Sequence, residues 1–168
     1  VSRAVGVCVS AAAITQGIYD ACASLFAGEC DALVCLGMPG SMQPDTIVAV
    51  ATDVRQSITR PTMGTGRSRE RAIEVDVTVS VFVPGDEMVQ WDASRRLEGM
   101  CDRLEDWWRD GDNCHLGVDG DGRWLVRDSW VSDISGPRNG IGRDPASGFV
   151  AGRVAEATVV VTALWRRS

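Results

Sequence analysis

The chain has 168 residues, 45% of them apolar and 24% charged, with a formal net charge of −6. That length and apolar share give one domain with a sizeable core and exclude whole-chain disorder; no apolar run approaches the ~20 residues that span a bilayer. The acidic balance excludes general affinity for nucleic acid, because a phosphate backbone is repelled at long range.

The apolar, alanine-rich stretch at 5–14 follows a single arginine, Arg3, in the outline of a short secretory leader. Tyr19, Phe26 and Leu33 carry the amphipathic pattern past any cleavage site, so no leader is expected. Val1 is read as a translation start written by its literal codon. Ile14, Ile18, Cys22 and Leu25, with Phe26, recur at helical spacing and predict a helix over 11–27, with Ser10 as N-cap and Gly28 as stop. Gly17 weakens that helix by roughly 1 kcal/mol relative to alanine. The apolar run 32–36, bounded by Gly37, Pro39 and Gly40, predicts a first strand. β-branched residues predict a second strand over 47–58, with Asp53 and Arg55 on a wet face or a bulge interrupting it.

Pro61, Gly64 and Gly66, interleaved with Arg60, Arg67, Arg69 and Arg71, predict a loop over 60–71 far longer than a tight hairpin needs. Then Ile73, Val75, Val77, Val79, Val81 and Val83 alternate with Glu74, Asp76, Thr78, Ser80 and Phe82. Period two of this kind is a strand with one buried face. Pro84-Gly85 ends it, Asp86 and Glu87 signal a helix start and Gly111 a stop, so a helix is predicted over 86–110. Its apolar face is read as Met88, Trp91, Leu97, Met100, Cys101, Leu104 and Trp108, with charged residues on the other side. Consecutive Trp107 and Trp108 cannot both enter one core. One of them is therefore expected at a rim or an interface, where tryptophan and arginine are enriched.

Residues 119–122 read as a turn and 123–134 as a fourth strand, with Trp124, Val126, Asp128 and Trp130 on one face. Neither face is cleanly apolar, which places this strand at an edge or against a partner. Five glycines and two prolines make 135–152, with Arg138 and Arg143, a second long irregular segment. A last strand follows over 153–165. No repeat or linker divides the chain. The expected class is α+β: a single mixed or antiparallel sheet of about five strands on two helices, in the order α-β-β-β-α-β-β.

Chemistry-bearing motifs are few. Asp119-Gly-Asp-Gly begins like a calcium loop, but position 130, where the twelfth-position glutamate belongs, is tryptophan. Gly64-Thr-Gly-Arg lacks a P-loop's lysine and precedes a strand instead of a helix. The six cysteines, Cys8, Cys22, Cys30, Cys35, Cys101 and Cys114, form no CxxC pair, and His115 is the sole histidine. A zinc site needs about four converging ligands, so these cysteines are expected to be reduced and to act as small core hydrophobes. No nucleophile–base pair stands out, and no catalytic residue, cofactor or metal is expected. All seventeen basic residues are arginine, which suits carboxylate or phosphate recognition and equally follows from GC-rich coding.

The helix over 11–27, the turn 37–44, the alternating strand 73–83, the helix 86–110 and the strand 153–165 together resemble the tail terminator proteins of long-tailed (siphovirus-type) bacteriophages, the family that includes the lambda minor tail protein U. The likeness covers nearly the whole chain and is one of architecture and composition. It implies a virion structural protein, not an enzyme, assembled in the host cytoplasm. Such proteins form a homohexameric ring at the head-proximal end of the tail, in the neck, where the ring stops tail tube polymerisation and joins tail to head. The implied partners are further copies of the chain, the tail tube protein and a head-closure or connector protein. DNA would pass through the lumen without sequence-specific binding, and no membrane is involved. Candidate subunit or tube contacts are Arg60, Arg67, Arg69 and Arg71 on the first loop, Arg138 and Arg143 on the second, and Trp107 and Trp108. Two other readings stay open. One is another neck connector or a tail tube protein, with the strands over 46–83 supplying a stacking hairpin. The other is a small cytoplasmic enzyme or ligand-binding domain, which requires a deep pocket lined by perturbed ionisable groups.

Overall fold

The structure is a computed structural model that describes residues 11–29, 32–37, 39, 45–59, 70–116, 119–120, 123–124, 126–143, 146–148 and 150–166. Its elements are α1 (Ala11–Leu25), β1 (Ala32–Leu36), β2 (Thr46–Val50), β3 (Arg55–Thr59), β4 (Glu70–Pro84), α2 (Gln90–Arg109), β5 (Asp119–Gly120), β6 (Arg123–Trp124), β7 (Val126–Arg143) and β8 (Val150–Arg166). The class is α+β. A single mixed sheet runs β1-β2-β4-β8-β7, with β3 beside the far end of β4, and two helices pack on it. Only β1 and β2 run parallel; the other pairs in this sheet are antiparallel.

The core is one face of this sheet. Ile73, Val75, Val77, Val79 and Val81 of β4 are buried beside Ala155, Ala157, Val159, Val161 and Ala163 of β8, as their alternation requires. The two helices cover that face side by side. α1 lies over β1 and β2 with Ile14, Ile18 and Cys22; α2 lies over β4, β7 and β8 with Ala93, Leu97, Met100, Leu104 and Trp108. Arg103 of α2 joins the helices: it pairs with Glu29, donates from Nη2 to the Leu25 carbonyl at 2.8 Å, and lies 4.9 Å from the Phe26 ring centroid. Asp86 caps the 3₁₀ turn at Glu87–Val89 that leads into α2, accepting from the Met88 backbone N–H at 2.9 Å.

The expected second strand is present with its bulge. β2 and β3 both pair with β4, and four residues, 51–54, stand opposite Val75 and Asp76. Val48 and Val50, before the bulge, lie in the core, and an even number of extra residues keeps the alternation with β4 in phase beyond it. The loop expected over 60–71 is shorter at its end than the sequence implied, because Glu70 and Arg71 already pair with β3 and β8; residues 60–69 lie outside the described residues. So does Ser10, the expected cap of α1.

Two expectations are overturned on the C-terminal side. The segment 135–152 is not irregular: β7 continues to Arg143 and β8 begins at Val150, so the connection shrinks to 144–149. β7 is an edge strand. Its outward N–H groups need no strand partner, so Pro137 and the glycines that read as breakers are absorbed as bulges. Gly136 has φ +129°, and a Cβ there would meet the Glu156 carbonyl at 2.9 Å, so only glycine fits this corner. The expected face of Trp124, Val126, Asp128 and Trp130 also fails. A bulge between Val126 and Asp128 reverses the alternation, so Val126 and Ser129 are buried while Trp130 turns outward. β5 and β6 form a separate two-residue ladder across the expected turn.

Candidate functional site

The eight arginine and tryptophan positions singled out from the sequence do not gather into one surface. Arg60, Arg67 and Arg69 lie outside the described residues. Arg71 is half-buried on β4, its guanidinium 5.4 Å from the centroid of the Trp165 ring, an intramolecular cation–π contact. Trp108 is buried, and its Nε1 donates to Ser129 Oγ at 3.1 Å; Ser129 Oγ in turn donates to the Cys114 carbonyl at 2.7 Å. Trp107 is half-buried edge-on to it, with ring centroids 4.7 Å apart at 74°. Trp107 is thus the rim member of the pair and Trp108 the core member, so Trp108 is corrected from contact candidate to core residue. Arg138 and Arg143 are exposed, the latter donating from Nη1 to the Gly148 carbonyl at 3.1 Å.

Sequence reasoning missed Trp91 and Met88. Both were read onto the buried face of α2, yet they are 77% and 74% exposed. Helical spacing of 100° per residue carries the signal. Ala93, Leu97, Met100, Leu104 and Trp108 continue one stripe, and Trp91 stands about 120° away from Leu97. The same spacing sets Trp91 on the flank of Gln90 and Ser94, which reach Asn139 of β7 at 3.1 and 3.4 Å. Nearby, Arg153 of β8 lines an open cleft of about 510 Å³ with Gly85, Asp86, Glu87 and Met88. Its register neighbour on β7, Ile141, is 50% exposed. This edge carries exposed Met88, Trp91 and Ile141, with Arg138, Arg143 and Arg153 beside the carboxylates Asp86 and Glu87. Arg95, Arg96, Arg138, Arg143 and Arg153 have no carboxylate partner among the described residues, whereas Arg55, Arg103 and Arg109 are paired.

The opposite edge has a different character. Between α1 and β1 lies a groove of about 260 Å³ lined by Ala11, Ala12, Thr15, Gln16, Leu36, Thr52 and Val54. Leu36 is 44% exposed at its mouth. α1, β1 and β2 contain no basic residue. Asp53 stands between two lining residues, and Asp20 lies one turn beyond Gln16, both exposed. The nearest cation on β3, Arg55, is already held by Glu74 at 3.2 Å and Asp76 at 2.7 Å. The two edges therefore differ in their described cations: Arg138, Arg143 and Arg153 stand at the β7 edge, and none stands on α1, β1 or β2.

Groups with chemical potential are scattered. Among the described residues no three His, Cys, Asp or Glu side chains converge on a metal-sized site. Burial pushes the Cys22 thiol from its ordinary 9.0 up to about 12. Burial, then the Asp102 and Glu98 carboxylates, pushes Cys101 up to about 11. Both are core residues, and neither supplies a thiolate at neutral pH. His115 is half-buried with Nδ1 2.9 Å from the Val126 carbonyl, and the Cys114 sulfur faces the Gly111 carbonyl at 3.0 Å. Cys8 and Cys30 lie outside the described residues. No family model matches the chain, and no curated protein matches it.

Proposed function

We propose that this chain is a subunit of a head-to-tail ring in the neck of a long-tailed phage, where it ends the tail tube and receives the head. One observation carries the reading: exposed apolar side chains stand on both end strands of a single sheet, Leu33 and Leu36 on β1 with a groove beside them, and Trp130, Ile134 and Ile141 on β7. A surface that matches itself makes a two-fold dimer; two unlike surfaces set apart make a chain of copies, which closes into a ring where the rotation between neighbours divides a full turn. The further partners on this reading are the tail tube protein on one side and a head-closure or connector protein on the other. DNA passes through the ring as a passenger, which an acidic protein permits.

The test is electron microscopy of a lysate in which this gene is disabled. Filled heads beside abnormally long tails are the expected result. Detached tails of normal length would move the protein to the head side of the joint, and intact virions would reject every virion role. A tail tube subunit is the second reading, favoured by the long antiparallel pairing of β7 with β8, since tube subunits stack through a long hairpin. It predicts heads with no tails at all.

A further inference from the structure

We infer that two copies of the free chain pair through their β7 strands, side by side and antiparallel, about a two-fold axis near Ser135 and Gly136. β7 is an end strand of the sheet, and every one of its residues from Ser132 to Ile141 is exposed. Its beginning is closed. The turn after α2 lies against it there, with His115 Nδ1 2.9 Å from the Val126 carbonyl and Ser129 Oγ bonded to the Cys114 carbonyl. Beyond that point the edge is bare.

Charge selects a second copy as the occupant. After Arg127 at the closed end, the ionised side chains of β7 run Asp128, Asp133, Arg138, Arg143, two acidic and then two basic. All are exposed, and none has an ion-pair partner among the described residues. A strand with that order is its own complement when turned end for end. Antiparallel pairing about the middle sets Asp133 of each copy opposite Arg138 of the other and brings the Asp128 end to the Arg143 end; parallel pairing sets like charge on like. Asp133 and Arg138 share a face. Their register partners on β8, Val160 and Glu156, alternate with buried Ala157, Val159 and Val161, so both point away from the helices. Trp130 and Ile141, 37% and 50% exposed, bracket these charges at equal sequence distances from the axis.

Arg95, Glu98 and Asp102, on the β7 flank of α2, do not oppose the pairing. α2 packs over β4, β8 and β7, centred on β8. With strands ~4.8 Å apart, the two helices stand about 14 Å from each other across the axis, beyond the ~10 Å of packed helices. Their charges face one another through solvent, where salt screens them. Pro137 and the bulges interrupt the outward row of backbone donors, so side chains hold the pair in place of a continuous ladder. A contact that uses the same patch on both copies is complete at two. Pairing does not depend on the ring reading; on that reading it is the stored form of the subunit, its β7 edge occupied until a tail takes the subunit up.

The test is sedimentation velocity of the purified full-length chain over a concentration series, with Asp133→Arg, Arg138→Asp and the double variant. The wild type is expected to pass from monomer to dimer and stop there. Either single variant replaces two ion pairs across the axis by two like-charge contacts, and its association should weaken roughly 10-fold or more. The double variant should associate like the wild type. So should an equimolar mixture of the two single variants, because one copy then offers two arginines and the other two aspartates. Arg138→Asp also places a carboxylate opposite Glu156, so circular dichroism and melting accompany each variant; an unfolded variant would not recover on mixing. A wild type that stays monomeric at every concentration would overturn the pair. So would a dimer that both single variants leave unchanged, or a mixture that associates no more tightly than the single variants do.

Discussion

The Trp108–Ser129–Cys114 chain at the end of α2 allows a quantitative test of how the helix is fixed to the sheet edge. Trp108 and Ser129 are 4% and 1% exposed, and the serine hydroxyl both accepts from the indole and donates to the Cys114 carbonyl. Ser129→Ala removes one oxygen, too little to open a cavity, and leaves the indole N–H buried without an acceptor. An orphaned buried donor costs about 1–3 kcal/mol. With a urea slope of about 2 kcal/mol/M, the unfolding midpoint should fall by roughly 1 M. In a Trp108→Phe background there is no N–H to orphan. There the same serine change should cost only the remaining bond to Cys114, about 0.5–1.5 kcal/mol. The coupling between the two positions is therefore expected near 1 kcal/mol, measurable by a double-mutant cycle in urea followed by far-ultraviolet circular dichroism. Equal costs in the two backgrounds would refute the bond's role, and a neutral Ser129→Ala would refute the burial argument beneath it.

Other outcomes follow from packing and charge. A Cβ on Gly152 would collide with the Val83 backbone carbonyl oxygen and come within 2.7 Å of the Phe82 ring, so Gly152→Ala should cost about 1–3 kcal/mol in thermal unfolding. Gly140→Ala, whose Cβ would meet only Val154 at 3.9 Å, should be neutral or slightly stabilising. The raised Cys22 thiol binds its proton more tightly folded than unfolded. Its share of stability is complete below pH 9 and is lost as pH rises towards about 12, at about 1.4 kcal/mol per pH unit. Urea midpoints should therefore fall over pH 9–12, and Cys22→Ala should flatten that fall while lowering stability at pH 7. Arg55→Ala breaks two ion pairs on a wet face and should cost no more than ~1 kcal/mol, less at high salt; a larger loss would mean that Arg55 also holds the bulge at 51–54.

The central strand and both helices were legible because each buries one continuous face, and burial writes a period into the sequence. The alternation of β4 survives in the structure from Ile73 to Val81, with Val83 half-buried and the strand extended by three residues at its start and one at its end. β7 was only half legible. Its bulges and Pro137 are permitted by an unpaired outer edge, and its ladder is made with a strand that follows a turn. Neither condition leaves a local mark, so glycine and proline there looked like a loop. Trp91 was misplaced because residue type was weighed above spacing: a tryptophan near a helix start looked like core, while the unremarkable Ala93 held the inward position. Arg71 looked free because its partner, Trp165, lies far along the chain and meets it only once β8 is paired.

The order of strands has a consequence for synthesis. β8 is flanked on both sides, by β4 along 15 residues and by β7 on its other edge, so it is the seam of the sheet. A ribosome delivers that seam after every other described element. Until residue 166 has left the exit tunnel, β4 shows a bare edge and α2 covers half a floor. The nascent chain is then an assembly of unjoined parts, and the pairing that completes it spans the largest separations in the fold, the kind that form slowly.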